Sequence, residues 1–593
     1  MQKKHIIHLT PVVMSSIDDL FRRPNHPSSY AGGKRKFEPA DAQEIYKSAK
    51  LSADDDAKGK AHGASVEDED DDIEAGPELP PEEDDEADEE GRFFGSGITR
   101  DTTDALDYLE DADGEEYVEE KIDAAWVRRL VTNLERKINK NSEQRARFES
   151  EPQKFMGSEA DLDAEIKGLS ILTEHSQFYQ EFAKAEGAAH LVSLLAHENT
   201  DIAINTIQII SELLDEDVQA EQEQWDALVE AMLEADLIGL LVSNLERLNE
   251  AEESDRQGVY YSLAAMEGLA SQASVAEKAG DDAVLKYLLG RIQTKEASVG
   301  QNKQYAAEVL QVLLQISDMV QNRLLKLEGM DVLLQLVASY RKRDPERDSI
   351  EEEYAENLFD ALTCMVENED GKHSFVKGEG MELMLIMLKE GKFSKPRALK
   401  VIDHATGGKG QEVCEQLVEA AGLKTIFNAF MKKPDHSTTE HLLGIFSSLL
   451  RLLPGESASR IRVLGKFVEK DYEKVERLMK LRRDYASKVA SADAEIVAEQ
   501  RGLSTEERID RADEWFSRRL DAGLYGLRTV DVILSWLVAE DEGARRKTTQ
   551  LLGERDESLV TLGESLANQL ADVGSEDDGT TAEMLRALID CLK

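Results

Sequence analysis

The chain contains side chains able to do chemistry, but their spacing does not assemble a catalytic group. Gly407-Gly408-Lys409-Gly410 has the composition of a phosphate-cradling loop. It lacks the Gly-Lys-Ser/Thr ending and the preceding strand that would aim backbone amides and a lysine at a nucleotide, so it reads as an inter-helix turn. Asp403-His404 pairs a carboxylate with an imidazole, yet sequence neighbours on a helix point in different directions and cannot serve as base and orienter. His436 and His441 stand five apart at a polar loop-to-helix junction with no third ligand beside them, and read as surface histidines. No Gly-x-Ser-x-Gly motif is present. Cys364, Cys414 and Cys591 show neither CxxC nor zinc-ligand spacing. Cys364 and Cys414 fall within apolar helical patterns and read as buried thiols of a reducing compartment. These residues predict no enzyme, no cofactor and no metal.

Recognition chemistry is better represented. Arg22-Arg23, a ten-residue spacer and Lys34-Arg35-Lys36 match a bipartite nuclear-import signal, in which two basic clusters reach two acidic pockets of an import receptor. The competing reading is a tail with ordinary basic pairs. From Glu67 to Glu90 two residues in three are Asp or Glu, with no Lys or Arg, and such a block stays extended and solvated. Three readings stay open for it: a solubilising tail, a cover for a basic partner site, or an intramolecular mimic of the partner. The net charge is −50, from 121 acidic and 71 basic side chains. That balance repels phosphate backbones, so basic proteins rather than nucleic acid are the expected partners. No apolar run approaches the ~20 residues of a membrane span. Ile6-Ile7 behind Lys3-Lys4 is broken by His8 and Pro11, which is no secretory signal. A soluble, intracellular protein located in the nucleus is expected, with no membrane partner.

The elements that must position any binding surface are repeated helices. Glu186 to Leu195, a polar Asn199-Thr200-Asp201 turn and the apolar stripe Ile202 to Leu214 form one unit: a glycine that lets a helix start abruptly, a short helix, then a longer one. Related units begin at Gly280, Gly329, Gly380 and Gly422, with a Gly-less one near Ala235. Their spacing, roughly 42 to 51 residues, is that of armadillo/HEAT repeats. The long helices carry apolar residues three and four apart, as in Ile207, Ile210 and Leu214 or Leu443, Phe446 and Leu450. Tyr340 to Glu353 reads as a charged loop inside the fourth unit.

The expected fold is therefore all-α: an armadillo/HEAT-like right-handed superhelical solenoid with an N-terminal helical cap, C-terminal helices and a disordered acidic N-terminal tail. Residues 1–115 are the tail with its basic clusters and acidic tract, 116–177 the capping helices, 178–455 about six repeats, and 456–593 a C-terminal helical region. Within the last region Phe467 to Ala490 reads as one amphipathic helix.

Armadillo proteins that carry import signals place a Trp and, four residues on, an Asn on each long helix. Here the Trp position holds Gln208, Ala264, Glu308, Asp360, Lys400 and Gly444, and the Asn position Glu212, Gly268, Val312, Cys364, His404 and Ser448. The ladder is absent. Gln208, Glu212, Glu308 and Asp360 instead outline a candidate acidic groove for basic segments, or else a merely solvated face.

Six stretches in the same order resemble one family. They are Asn133–Lys137, Pro152–Met156, Leu240–Leu248, Lys377–Met384, Ala398–Ala405 and Arg518–Leu524. Together they are similar to the beta-catenin-like protein 1 family of nuclear armadillo proteins, over roughly residues 120–540. The resemblance implies a non-catalytic scaffold of the spliceosome-associated Prp19/Cdc5-like complex, binding basic segments of pre-mRNA splicing factors through its armadillo body. The alternatives are a nuclear transport adaptor, which would need the missing ladder, and an acidic chaperone for basic nuclear proteins acting through Glu67 to Glu90.

Overall fold

The structure, a computed structural model, describes residues 122–572 and 580–593. Arg22, Arg23, Lys34, Arg35, Lys36 and the acidic tract Glu67 to Glu90 lie outside the described residues. Residues from Val131 onward form one compact unit; 122–130, the opening turns of the first helix, belong to a second.

Every regular element among the described residues is helical. Helix α1 spans Ala124–Arg147 and α2 spans Met156–Gly168. A row of long helices follows: α3 Thr200–Leu213, α4 Glu253–Ala270, α5 Gln301–Ile316, α6 Ile350–Met365, α7 Ser394–Thr406 and α8 His436–Leu452. Each packs on the next, and α2 packs on α3. Starts are fixed locally where a side chain takes up an otherwise unbonded amide. Asn199 accepts from the Asp201 N–H, Ser349 from Glu352 and Asp435 from Thr438. The three- and four-residue apolar spacing becomes the seam of the stack: Ile207, Ile210, Leu310, Leu358, Ile402 and Phe446 are all fully buried.

Asn141 of α1 ties the first repeat to what precedes it. Its amide donates to the Ser158 hydroxyl at 3.1 Å, and its carbonyl oxygen meets His197 Nε2 at 3.1 Å. Burial lowers the pKa of His197, which favours the neutral ring in the folded state. A lowered folded pKa means that the unfolded chain takes the proton first. The stabilisation is therefore present above the ordinary histidine pKa and is lost as pH falls below it.

The repeat start differs from its sequence reading. At the repeat starts the left-handed residues are Glu186 (φ 62°), Asp236 (63°), Glu328 (59°), Glu379 (57°) and Ala421 (56°), each one or two residues before a short helix. The glycines at 187, 329 and 380 have ordinary helical backbone and serve close packing instead. A Cβ at Gly187 would overlap the Phe182 ring, one at Gly329 the Leu324 side chain, and one at Gly380 the Phe375 ring. Gly380→Ala is accordingly expected to cost about 1–3 kcal/mol by overpacking. Glu379→Gly, where the backbone itself favours glycine, should be neutral or stabilising. Thermal melting of the two variants checks the assignment. Gly280 is a second correction. It closes the helix Ala273–Ala279, and the next helix starts at Asp282 because the Asp281 carboxylate accepts from Ala283 and Val284 N–H.

The Tyr340 to Glu353 loop is shorter than expected. A 3-10 turn covers Ser339–Arg341 and α6 already begins at Ile350. Glu351, Glu352 and Glu353 favour that start, because carboxylates are stabilised at the positive end of a helix. Glu351 also accepts from the buried Tyr340 hydroxyl at 3.3 Å and pairs with Arg343 at 2.7 Å.

Beyond the repeats, α9 spans Ala458–Gln500, with a break at residues 469–472 where Lys470, Asp471 and Tyr472 take positive φ. The break falls inside the stretch read as one helix from Phe467. Tyr472 spends its hydroxyl there on Asp541 at 3.0 Å. Helix α10, Leu524–Glu540, packs on α8 and so continues the row across the intervening excursion. Helices α11 Leu559–Asp572 and α12 Thr580–Leu592 pack on α10. Among the described residues no single helix is long and apolar enough to cross a membrane.

Candidate peptide-binding groove

The row brings the sequence-predicted residues onto one stripe. Gln208, Ala264, Glu308, Asp360, Lys400 and Gly444 are all half-buried, each beside a fully buried neighbour. Four residues on, Glu212, Gly268, Val312, Cys364 and His404 are half-buried as well, while Ser448 is buried. Equivalent positions on helices packed side by side thus repeat the same partial exposure, which is the geometry of a shared recognition face. Tryptophan is excluded from the last rung by space, since a Cβ at Gly444 would already overlap the Asp403 carboxylate.

Charge is not uniform along this stripe. On α3, Gln208 Nε2 donates to Glu212 Oε1 at 2.9 Å, and on α5 Gln304 Nε2 donates to Glu308 Oε2 at 2.8 Å. Between them Glu267 accepts from the Tyr305 hydroxyl at 2.5 Å. Amides and a phenol orient these carboxylates. Burial, reinforced by Glu267, pushes the Tyr305 phenol far up, and burial with Glu212 raises that of Tyr261.

From α6 onward the carboxylates acquire cations. Lys400 Nζ pairs with Asp360 at 2.7 Å, His404 meets Glu367 at 2.7 Å and His441 meets Asp403 at 2.9 Å. Arg397 pairs with Glu356. Asp360, one of the residues expected to make the groove acidic, thus has its charge offset by the neighbouring helix. The sequence could not show this pairing, because the partner lies 40 residues away.

At the α3 end the structure adds residues that sequence reasoning missed. An open cleft of about 700 Å³ is lined by Glu174, Glu212, Asp215 and Asp217 together with Thr173, Gln177 and Gln219. One wall is the 3-10 segment Leu169–Phe178, bent at His175 (φ −129°, ψ 49°); the other is the turn after α3. Ser176 Oγ donates to the Gln219 carbonyl at 2.9 Å, and the buried Tyr179 hydroxyl donates to the Leu213 carbonyl at 3.1 Å, which join the two walls. The available signal was Asp215-Glu216-Asp217, an acidic run directly after the last turn of α3. Glu174 carried none, because only the fold brings its segment beside that turn.

A second, much smaller cleft lies at the other end between Asp403, His404, Gly444, Arg451 and Tyr525. It is mixed in charge and includes a residue of α10. Cys364, on the stripe, and the buried Cys414 have thiols pushed up to about 12, chiefly by burial, which leaves them protonated and unreactive. Cys591 is exposed.

Comparison with known proteins relates the chain to one family. A family model described as catenin-beta-like, Arm-motif containing nuclear, matches residues 103–567. A beta-catenin-like protein 1 homolog from Schizosaccharomyces pombe is 35% identical over 484 residues, covering 81% of this chain and 84% of its own. Beta-catenin-like protein 1 from Homo sapiens is 34% identical over 478 residues, covering 78% of this chain and 84% of its own. Among solved structures, a designed armadillo repeat protein aligns with TM-score 0.34 at 15% identity, over 44% of this chain and 99% of its own. An engineered protein aligns with TM-score 0.46 at 14% identity, over 79% and 99%.

Proposed function

Since the chain belongs to the catenin-beta-like, Arm-motif-containing nuclear family, we propose that it is a non-catalytic nuclear scaffold of the spliceosome-associated Prp19/Cdc5-like complex, docking basic segments of splicing factors. The observation that carries the docking mode is the acidic end of the stripe. Glu174, Glu212, Asp215 and Asp217 share one open cleft, and Glu267 and Glu308, held by the Tyr305 hydroxyl and the Gln304 amide, continue from it. A basic segment laid along α3 to α5 would exchange water for several carboxylates at once. The import receptor remains the expected partner of Arg22, Arg23, Lys34, Arg35 and Lys36.

Two experiments test this reading. Affinity purification from nuclei should recover splicing factors with basic segments. Recovery of transport factors alone would favour the adaptor. Titration of the full-length chain with an alternating Lys-Arg peptide should show binding that weakens about tenfold or more between 50 and 300 mM salt, because exposed opposite charges are screened over a Debye length of about 10 Å at 0.1 M. Salt-insensitive binding would contradict a charge-led groove.

A further inference from the structure

The chain carries a second charged surface of opposite sign, away from the stripe. Residues 423–490 contain fourteen Lys and Arg against eight Asp and Glu, in a protein whose net charge is −50. The fold gathers part of this excess on one face. The short helix Leu423–Met431 packs against α9, and Arg477 Nε donates to the Phe430 carbonyl at 2.9 Å. That contact sets Lys432 and Lys433, immediately after the short helix, beside Arg477. Lys480 and Lys488 follow three and eleven residues later on α9, within about 60° of Arg477 around the helix.

Lys432, Lys433, Lys480 and Lys488 are exposed and Arg477 is half-buried. None of the five makes an ion pair with another described residue. The nearby acids are largely committed elsewhere: Asp435 caps α8 through the Thr438 N–H and hydroxyl, both at 2.9 Å, and Glu473 pairs with Lys474 and Lys470. On α9 the carboxylates of the same stripe are Glu473, so paired, and Asp484, whose charge acts on Arg477. Arg477 spends its Nε on a carbonyl, and its guanidinium lies over the Phe430 ring at 5.2 Å, while the side chain stays half-exposed. Contrast the Arg residues deeper in α9, where Arg482 is paired to both Asp531 and Glu557.

We propose that this face, centred on Arg477 with Lys432, Lys433, Lys480 and Lys488, is a docking surface for a carboxylate-rich segment of a partner protein. The overall negative charge does not forbid it, since screening confines each interaction to about 10 Å at 0.1 M salt and a short segment meets only the local patch. A protein segment fits better than RNA. Phe430 and Tyr485, the aromatics of this region, are buried and offer no base a stacking platform. A long phosphate backbone would also extend beyond the patch into the acidic surroundings. The two surfaces of opposite sign would let one scaffold hold a basic and an acidic segment together.

The test uses the full-length chain and a fluorescent decaglutamate peptide at 50 mM salt. Binding is expected, with at least a tenfold loss in Lys432→Glu/Lys433→Glu/Lys480→Glu and a smaller loss in the neutral Lys432→Gln/Lys433→Gln/Lys480→Gln. Circular dichroism and affinity for the Lys-Arg peptide should stay unchanged in both, which separates this surface from the groove. No peptide binding, or binding indifferent to both variants, overturns the proposal. Tighter binding of a 20-nucleotide oligouridylate that is lost in the same variants also overturns it, by reassigning the face to RNA.

Discussion

Arg482→Met is expected to destabilise the C-terminal half of the molecule by about 3–5 kcal/mol, the usual consequence of removing one partner of a buried ion pair. Arg482 on α9 and Asp531 on α10 are 5% and 1% exposed. Arg482 Nε donates to Asp531 at 2.7 Å and Nη1 to Glu557 at 2.6 Å, so one guanidinium joins α9, α10 and the turn before α11. Burial raises the pKa of Asp531, and Arg482 is the main force opposing that rise. Without it the carboxylate is left buried and uncompensated. Its folded pKa then stands further above the unfolded value, so stability is retained at low pH and lost as pH rises through the folded pKa. Chemical unfolding of Arg482→Met followed by Trp536 fluorescence should therefore show a deficit at pH 7.5 that narrows toward pH 5. A deficit independent of pH would point to lost packing rather than to the orphaned charge. Arg482→Met/Asp531→Leu, which removes both charges, should recover much of the loss.

The second large effect is expected at the acidic cleft. Glu212→Lys/Asp215→Lys/Asp217→Lys should weaken the Lys-Arg peptide about a hundredfold at 50 mM salt. Each reversal replaces a solvent-screened attraction of about 0.5 kcal/mol by a repulsion of similar size, and three together approach about 3 kcal/mol. Calorimetric titration measures it, with thermal melting to show that the fold persists. Asp360→Lys should contribute less to peptide binding than any of the three. Its carboxylate already faces Lys400, so that reversal mainly disrupts an internal pair. Equal losses from Asp360→Lys and the cleft reversals would argue for a ligand spread along the whole row.

Much of this molecule was legible in its sequence. The spacing of Ile207, Ile210, Leu310 and Phe446 announced long helices with one buried seam, because helical period depends only on the local chain. The same period placed Gln208, Glu308, Asp360, Lys400 and Gly444 at equivalent positions, and their shared partial exposure follows from that alone. Caps at Asn199 and Asp435 were likewise local. The role of the repeat glycines was not, since the reason lies in a ring or leucine five residues earlier that folds back against them.

The class of helix, the repeat and the stripe on which candidate recognition residues stand are set by side-chain period and by neighbours within a few residues. Which of those residues keep an uncompensated charge depends on how the helices pack. Lys400 reaches Asp360 across 40 residues, Glu174 joins the Asp215 turn across a bend, and Arg477 meets the Phe430 carbonyl across 47 residues. Electrostatic character depends on distance in space, and a stack of helices makes distant residues neighbours. It is this packing that turns a chain of strongly negative average charge into a body with an acidic cleft at one end and a basic face near the other.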